Sequence, residues 1–114
     1  MNEATLARTN DRLRLWSELE PDRVRPHKNS WVIKLNGGFF CFSPQACGSL
    51  LLAVIEAIER QGWTWKTWRE LAFYAAEVKG ESSAWDADSP GVALLSAYLH
   101  PLQECKELET REAV

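Results

Sequence analysis

Cysteine and histidine are scarce here, with three of the one and two of the other in 114 residues. An odd set, Cys41, Cys47 and Cys105, in a chain long enough to bury one core argues against a disulfide framework and for a reducing compartment. A zinc site needs about four closely spaced thiolate or imidazole ligands, and no C-x-x-C or H-x-x-x-H pair occurs, so no metal is expected. Long apolar runs are missing too. The longest, residues 50–55, is far short of the roughly 20 residues that cross a bilayer. The opening MNEATLARTNDRLRLW holds no apolar stretch of the kind a secretory signal carries, so a cytoplasmic location is expected, with no membrane contact. Asn36, Gly37 and Gly38 lack the lysine and hydroxyl that would make a phosphate cradle, and no cofactor motif is present.

What the sequence has in excess is tryptophan: six, against four phenylalanines and two tyrosines. The remaining composition, 46% hydrophobic and 25% charged with a net charge of −3, is that of an ordinary globular chain, here read as one domain over residues 1–114.

Hydrophobic spacing orders the elements. Leu13 and Trp16, and Leu15 and Leu19, are spaced three and four apart, which predicts a helix over residues 8–19; the alternation from Arg12 to Trp16 leaves open a strand paired near Val24. A connector rich in proline and charge follows. Residues 31–35 and 39–42 flank Asn-Gly-Gly and predict a hairpin with Trp31, Ile33, Leu35, Phe40 and Phe42 on one face. Ser43 and Pro44 open a helix whose Cys47, Leu50, Leu51, Val54, Ile55 and Ile58 cover that face, ending near Gly62. A second helix is expected in GWTWKTWRELAFYAAEVKG, with Thr67 and Glu70 as a capping box, Gly80 as the stop, and Trp65, Trp68, Ala72, Ala75 and Ala76 along one side. Ser89 and Pro90 start a third over residues 92–99; after Pro101 the acidic stretch 104–114 frays or continues as a solvated helix. The fold class is therefore α+β: a β-hairpin, extensible to a three- or four-stranded antiparallel sheet, covered by three or four helices.

Two arrangements invite a catalytic reading, and each has a plainer one. Cys47, in the first turn of a helix, has the placement of an activated thiol, but neither His27 nor His100 is brought near it by sequence, and a buried structural cysteine is the commoner outcome. Glu56 and Glu59 lie on the polar side of their helix as solvated charges. The chain is therefore read as non-enzymatic.

Binding is the stronger theme. Tryptophan and arginine concentrate at energetic centres of protein interfaces, so Trp63, Lys66, Arg69, Trp85, Asp86 and Asp88 are the candidate protein-binding residues, with Trp65 and Trp68 assigned to the core. The acidic carboxyl-terminal third is a second candidate surface. A nucleic-acid alternative rests on Arg12, Arg14, Arg23, Arg25 and Lys28, with Trp16 and Trp31 nearby for stacking. The expectation is a protein-interaction module acting as an adaptor, inhibitor or assembly subunit, a profile shared by small accessory proteins of phages and mobile elements. A homodimer is also compatible with apolar helices on so small a domain, and a small thiol enzyme is the remaining alternative.

Overall fold

A computed structural model describes residues 3–43 and 47–112. The elements run α1 (Glu3–Leu19), β1 (Val24–His27), β2 (Ser30–Leu35), β3 (Gly38–Cys41), α2 (Cys47–Arg60), β4 (Trp65–Arg69), β5 (Tyr74–Val78), β6 (Ser82–Asp86) and α3 (Pro90–Glu112). Two antiparallel three-stranded sheets result, ordered β1-β2-β3 and β4-β5-β6, and the order βββα occurs twice although the sequence shows no repeat. The α+β class is as expected, with three helices and two sheets.

The first hairpin forms as its turn chemistry requires. Asn36 and Gly37 both take positive φ, 53° and 83°, which matches the twist of the two strands they join. Pairing of Ile33 with Phe40 puts Trp31, Ile33, Leu35, Phe40 and Phe42 on one face. Val24, paired with Ile33 from the other side, adds a third strand, so the segment around Val24 pairs with β2 while residues 12–16 stay helical. Leu50, Val54 and Ile58 of α2, with Ala53 and Ala57, are buried in the same core. Of the proposed cap at Ser43 and Pro44, Pro44 lies outside the described residues, as do residues 45 and 46.

The second helix expected from sequence is two strands instead. Trp, Thr, Tyr and Val are side chains that suit a pleated surface, and residues 65–69 carry three of them in five positions. Gly80 ends no helix: Lys79 and Gly80, with φ of 63° and 72°, turn β5 into β6. Thr67 and Glu70 make no capping box, since Thr67 pairs with Ala76 within the sheet. Helical spacing had placed Trp65 with Trp68 and Ala75 with Ala76; the period-two pleat puts the members of each pair on opposite faces.

α3 is the central element, packed against α1, α2 and the second sheet. Ser89 caps it, its Oγ accepting from the Val92 amide at 3.3 Å, and Pro90 occupies the first helical position, where its missing N–H costs nothing. Pro101 sits inside the helix without ending it. A proline there leaves the carbonyl four residues earlier, that of Ala97, without its amide donor. The Ser82 hydroxyl of β6 donates to that oxygen at 2.6 Å, so the sheet supplies what the proline removed.

Beneath α3 lies a buried polar cluster. Glu20 Oε1 accepts from Trp16 Nε1 at 2.9 Å and from the Tyr98 hydroxyl at 2.6 Å, and Arg23 Nε stands 3.8 Å from Oε2. Trp16 and Trp63 meet the Tyr98 ring edge-on at 6.2 and 5.8 Å. Burial, reinforced by the bond to Glu20, holds the Tyr98 phenol far above its ordinary range.

Candidate functional site

The pleat of the second sheet assigns its faces. Tyr74, Ala76 and Val78 turn toward the core; their cross-strand partners lie on the same face, Ser82, Ala84 and Asp86 on one side and Trp65, Thr67 and Arg69 on the other, where Trp65 and Arg69 extend past the core into solvent. The opposite face carries Lys66 and Trp68 from β4, Ala75 and Glu77 from β5, and Ser83 and Trp85 from β6. Trp68 and Trp85 both pair with Ala75, so two indoles flank one methyl group, about 10 Å apart across two strand spacings.

Both rings are substantially in water, 39% exposed for Trp68 and 64% for Trp85. Leu71, in the β4–β5 turn, is fully exposed, and Phe73 stacks obliquely on Trp85 with ring centroids 6.3 Å apart. Trp68 is held in place: its Nε1 donates to Glu70 Oε1 at 2.9 Å and the Lys66 ammonium lies 5.5 Å from its ring. Lys66 is in turn 3.2 Å from Glu77. The result is an oriented aromatic surface on a three-stranded sheet, with polar groups along one side.

The residues proposed from sequence are only partly brought together. Lys66 and Trp85 share this outer face. Arg69 is on the other side, over the Tyr74 ring at 5.3 Å. Trp63 is half-buried against Tyr98 beneath the Lys79 ammonium, 4.7 Å from its ring, and so belongs to the core margin. Asp86 is buried; its Oδ1 accepts from the amides of Asp88 and Ser89 at 2.9 and 3.0 Å. Asp88 Oδ2 accepts from Thr5 Oγ1 at 2.6 Å, tying α1 to the start of α3. The assignment of Trp65 and Trp68 to the core does not hold, since 37% and 39% of these residues is exposed. Trp68, Leu71 and Phe73 were missed as surface residues because a helix was expected; the Thr-Trp-rich composition of residues 64–68 was the available signal.

The basic set is scattered as well. Arg23 is 6% exposed and engaged with Glu20, which removes it from any surface. Arg12 Nε donates to Ser96 Oγ of α3. Arg25 lies on the outer face of the first sheet, 4.5 Å from the ring of Phe39. Trp16 and Trp31 are buried and cannot stack on bases. Arg14 and Lys28 alone remain exposed around one cleft.

Among the described residues, no group of three or more His, Cys, Asp or Glu side chains could hold a metal ion. Cys41 is exposed on β3 and Cys105 half-buried on α3; the Cys47 side chain lies outside the description. No helix among the described residues is long and apolar enough to cross a membrane. The chain matches no protein-family model, no curated protein and no solved structure at a level that would indicate common descent.

Proposed function

We propose that this protein is a non-catalytic protein-interaction module whose partner docks on the outer face of the β4–β6 sheet. The observation that carries this reading is the pair of exposed indoles, Trp68 and Trp85, set on either side of Ala75 and continued by Leu71 and Phe73. Burying an indole gains much area at little conformational cost, and its N–H finds a polar partner, which is why tryptophan dominates interface hot spots. Lys66 and Glu77 at the margin supply polar contacts of either sign. Adaptor, inhibitor and assembly subunit are the roles that such a surface serves.

The test is affinity capture from the source lysate with nuclease, at about 150 mM salt, where weak charge contacts are screened. A stoichiometric protein partner is expected, with Trp68→Ser and Trp85→Ser each weakening it about tenfold, or about 1.4 kcal/mol, at unchanged far-UV circular dichroism. Retention of the partner by the double variant would reject this face, and loss of the complex on nuclease treatment would transfer the function to nucleic acid.

A second reading, the homodimer, is favoured by α2. Leu52 is 55% exposed there, beside half-buried Leu51 and Ile55. If two copies meet through this stripe, the native mass is expected at twice 13.0 kDa and Leu52→Asp should return it to one copy, since a carboxylate would be stranded in an apolar contact. A wild-type mass of one copy at micromolar concentration would remove this reading.

A further inference from the structure

The chain carries a net charge of −3, yet one cleft on it has no carboxylate. It lies between the second half of α1 and the β1–β2 turn, with a volume of about 370 Å³. Arg14, Ser17 and Asn10 line it from the helix, and Lys28, Asn29 and Ser30 from the turn; Pro26 and Trp31 complete the wall. By contrast, the cleft beside α2 contains Glu56 and Glu59, and that between α1 and α3 contains Asp11.

Among the described residues neither Arg14 nor Lys28 has a carboxylate within 4.0 Å, whereas Arg8, Arg23, Arg60 and Lys66 each have one. Glu18, one helical turn beyond Arg14, is not part of the lining. The neutral amides are disposed to donate. Asn10 Oδ1 is committed to the Trp31 indole at 3.1 Å, which leaves its amide nitrogen as the group it presents. Asn29 brings a further amide from the turn, whereas the hydroxyls of Ser30 and Ser17 already donate to the carbonyls of Phe42 and Arg14, at 3.0 and 2.6 Å. A planar guanidinium, a mobile ammonium and two neutral amides around a lining free of carboxylates are what an anion of two charges needs, and the pairing of Arg with Lys suits tetrahedral oxyanions.

From this juxtaposition we propose that the α1/β1–β2 cleft binds a phosphate group, with Arg14 and Lys28 as its counter-charges and the amides of Asn10 and Asn29 as neutral donors. A second cleft adjoins the first at Pro26 and is lined by Arg25, His27, Val32 and Phe39, again with no carboxylate. Two sources of the phosphate are separable on that basis. A free phosphorylated compound would engage the first cleft alone, while a nucleotide chain would extend over Pro26 toward Arg25 and the exposed ring of Phe39. This site is distinct from the tryptophan face and stands whether or not that face binds protein.

The experiment is a ¹H–¹⁵N titration of the full chain at about 50 mM salt with inorganic pyrophosphate, with octathymidylate, and with sodium chloride at matched ionic strength. Saturable shifts at residues 10–17 and 28–30 with pyrophosphate are expected. The double variant Arg14→Gln/Lys28→Asn should weaken them at least tenfold; asparagine is chosen because Lys28 has φ of 55°, which asparagine tolerates. Tighter binding of octathymidylate, with added shifts at Arg25, His27 and Phe39, identifies the source as a nucleotide chain; equal or weaker binding identifies a free phosphorylated ligand. Shifts reproduced by sodium chloride, or absent with both phosphate probes, overturn the site, and because this is read on the wild-type chain it holds even if the variant misfolds.

Discussion

Replacing Glu20 by alanine is expected to destabilise the fold by about 3–5 kcal/mol, the range seen when one partner of a buried charged pair is removed. Two groups lose their hydrogen-bond acceptor, the Trp16 indole and the Tyr98 hydroxyl, and the Arg23 guanidinium loses its counter-charge. Arg23 has the least to fall back on, since its Nη1 is buried with no hydrogen-bond partner already. Urea unfolding with an unchanged slope would measure the loss, and Glu20→Gln, which keeps an oxygen for Trp16 and Tyr98 but turns an amide toward Arg23, should fall between wild type and alanine. A loss below about 1 kcal/mol for alanine would mean that water replaces the carboxylate, and the cluster would then not be the buried unit described.

The same cluster sets an alkaline limit. Burial, then the bond to Glu20, raises the Tyr98 phenol in the folded state, so the folded chain keeps a proton that the unfolded chain releases from about pH 10 upward. The contribution is therefore whole below pH 10 and declines above it, by up to about 1.4 kcal/mol per pH unit for one group. In the Tyr74→Phe background, where Tyr98 is the remaining tyrosine, tyrosinate absorbance should appear only together with unfolding; ionisation at pH 10 in a folded sample would contradict the burial.

The parts of this fold that could be read from sequence share a physical property: a short-range signal agreed with the packing. Asn36-Gly37 specifies a turn by its backbone angles whatever surrounds it, and Ser89-Pro90 specifies a helix start in the same local way. Residues 63–80 failed because two periods fit them. Trp65, Trp68 and Ala72 fall at helical intervals, and what settles the ambiguity is strand pairing that local spacing does not encode, Trp68 with Ala75 and Ala75 with Trp85. The length of α3 was hidden for a related reason, because the Ser82 hydroxyl that accommodates Pro101 comes from another element.

Candidate sites were legible to the extent that side-chain chemistry alone decides exposure. The polar surroundings of Trp85 read as a loop and so as surface; it is exposed, but on strand β6 at a sheet edge, whereas Trp63, read as surface in the same way, packs on Tyr98, 35 residues away in sequence. Arg23 shows the same limit with opposite sign: it reads as one of five basic residues, yet Glu20 draws it inside and leaves Arg14 and Lys28 to line the cleft.

Asp86 joins the two questions, since sequence placed it in a binding surface and the structure places it at the foot of α3. Asp86→Ala is expected to cost about 3 kcal/mol: two backbone amides lose a charged acceptor, one of them buried, and Arg8, 3.6 Å from Oδ2, loses its partner. Asp86→Asn keeps the acceptor oxygen and should cost about 1 kcal/mol or less. Thermal or urea unfolding orders the three proteins, and partner affinity, corrected for the folded fraction, should be equal in all of them. If instead the asparagine variant folds as wild type and loses the partner, the carboxylate acts in recognition, and the docking surface extends around the edge of β6 from Trp85 to the start of α3.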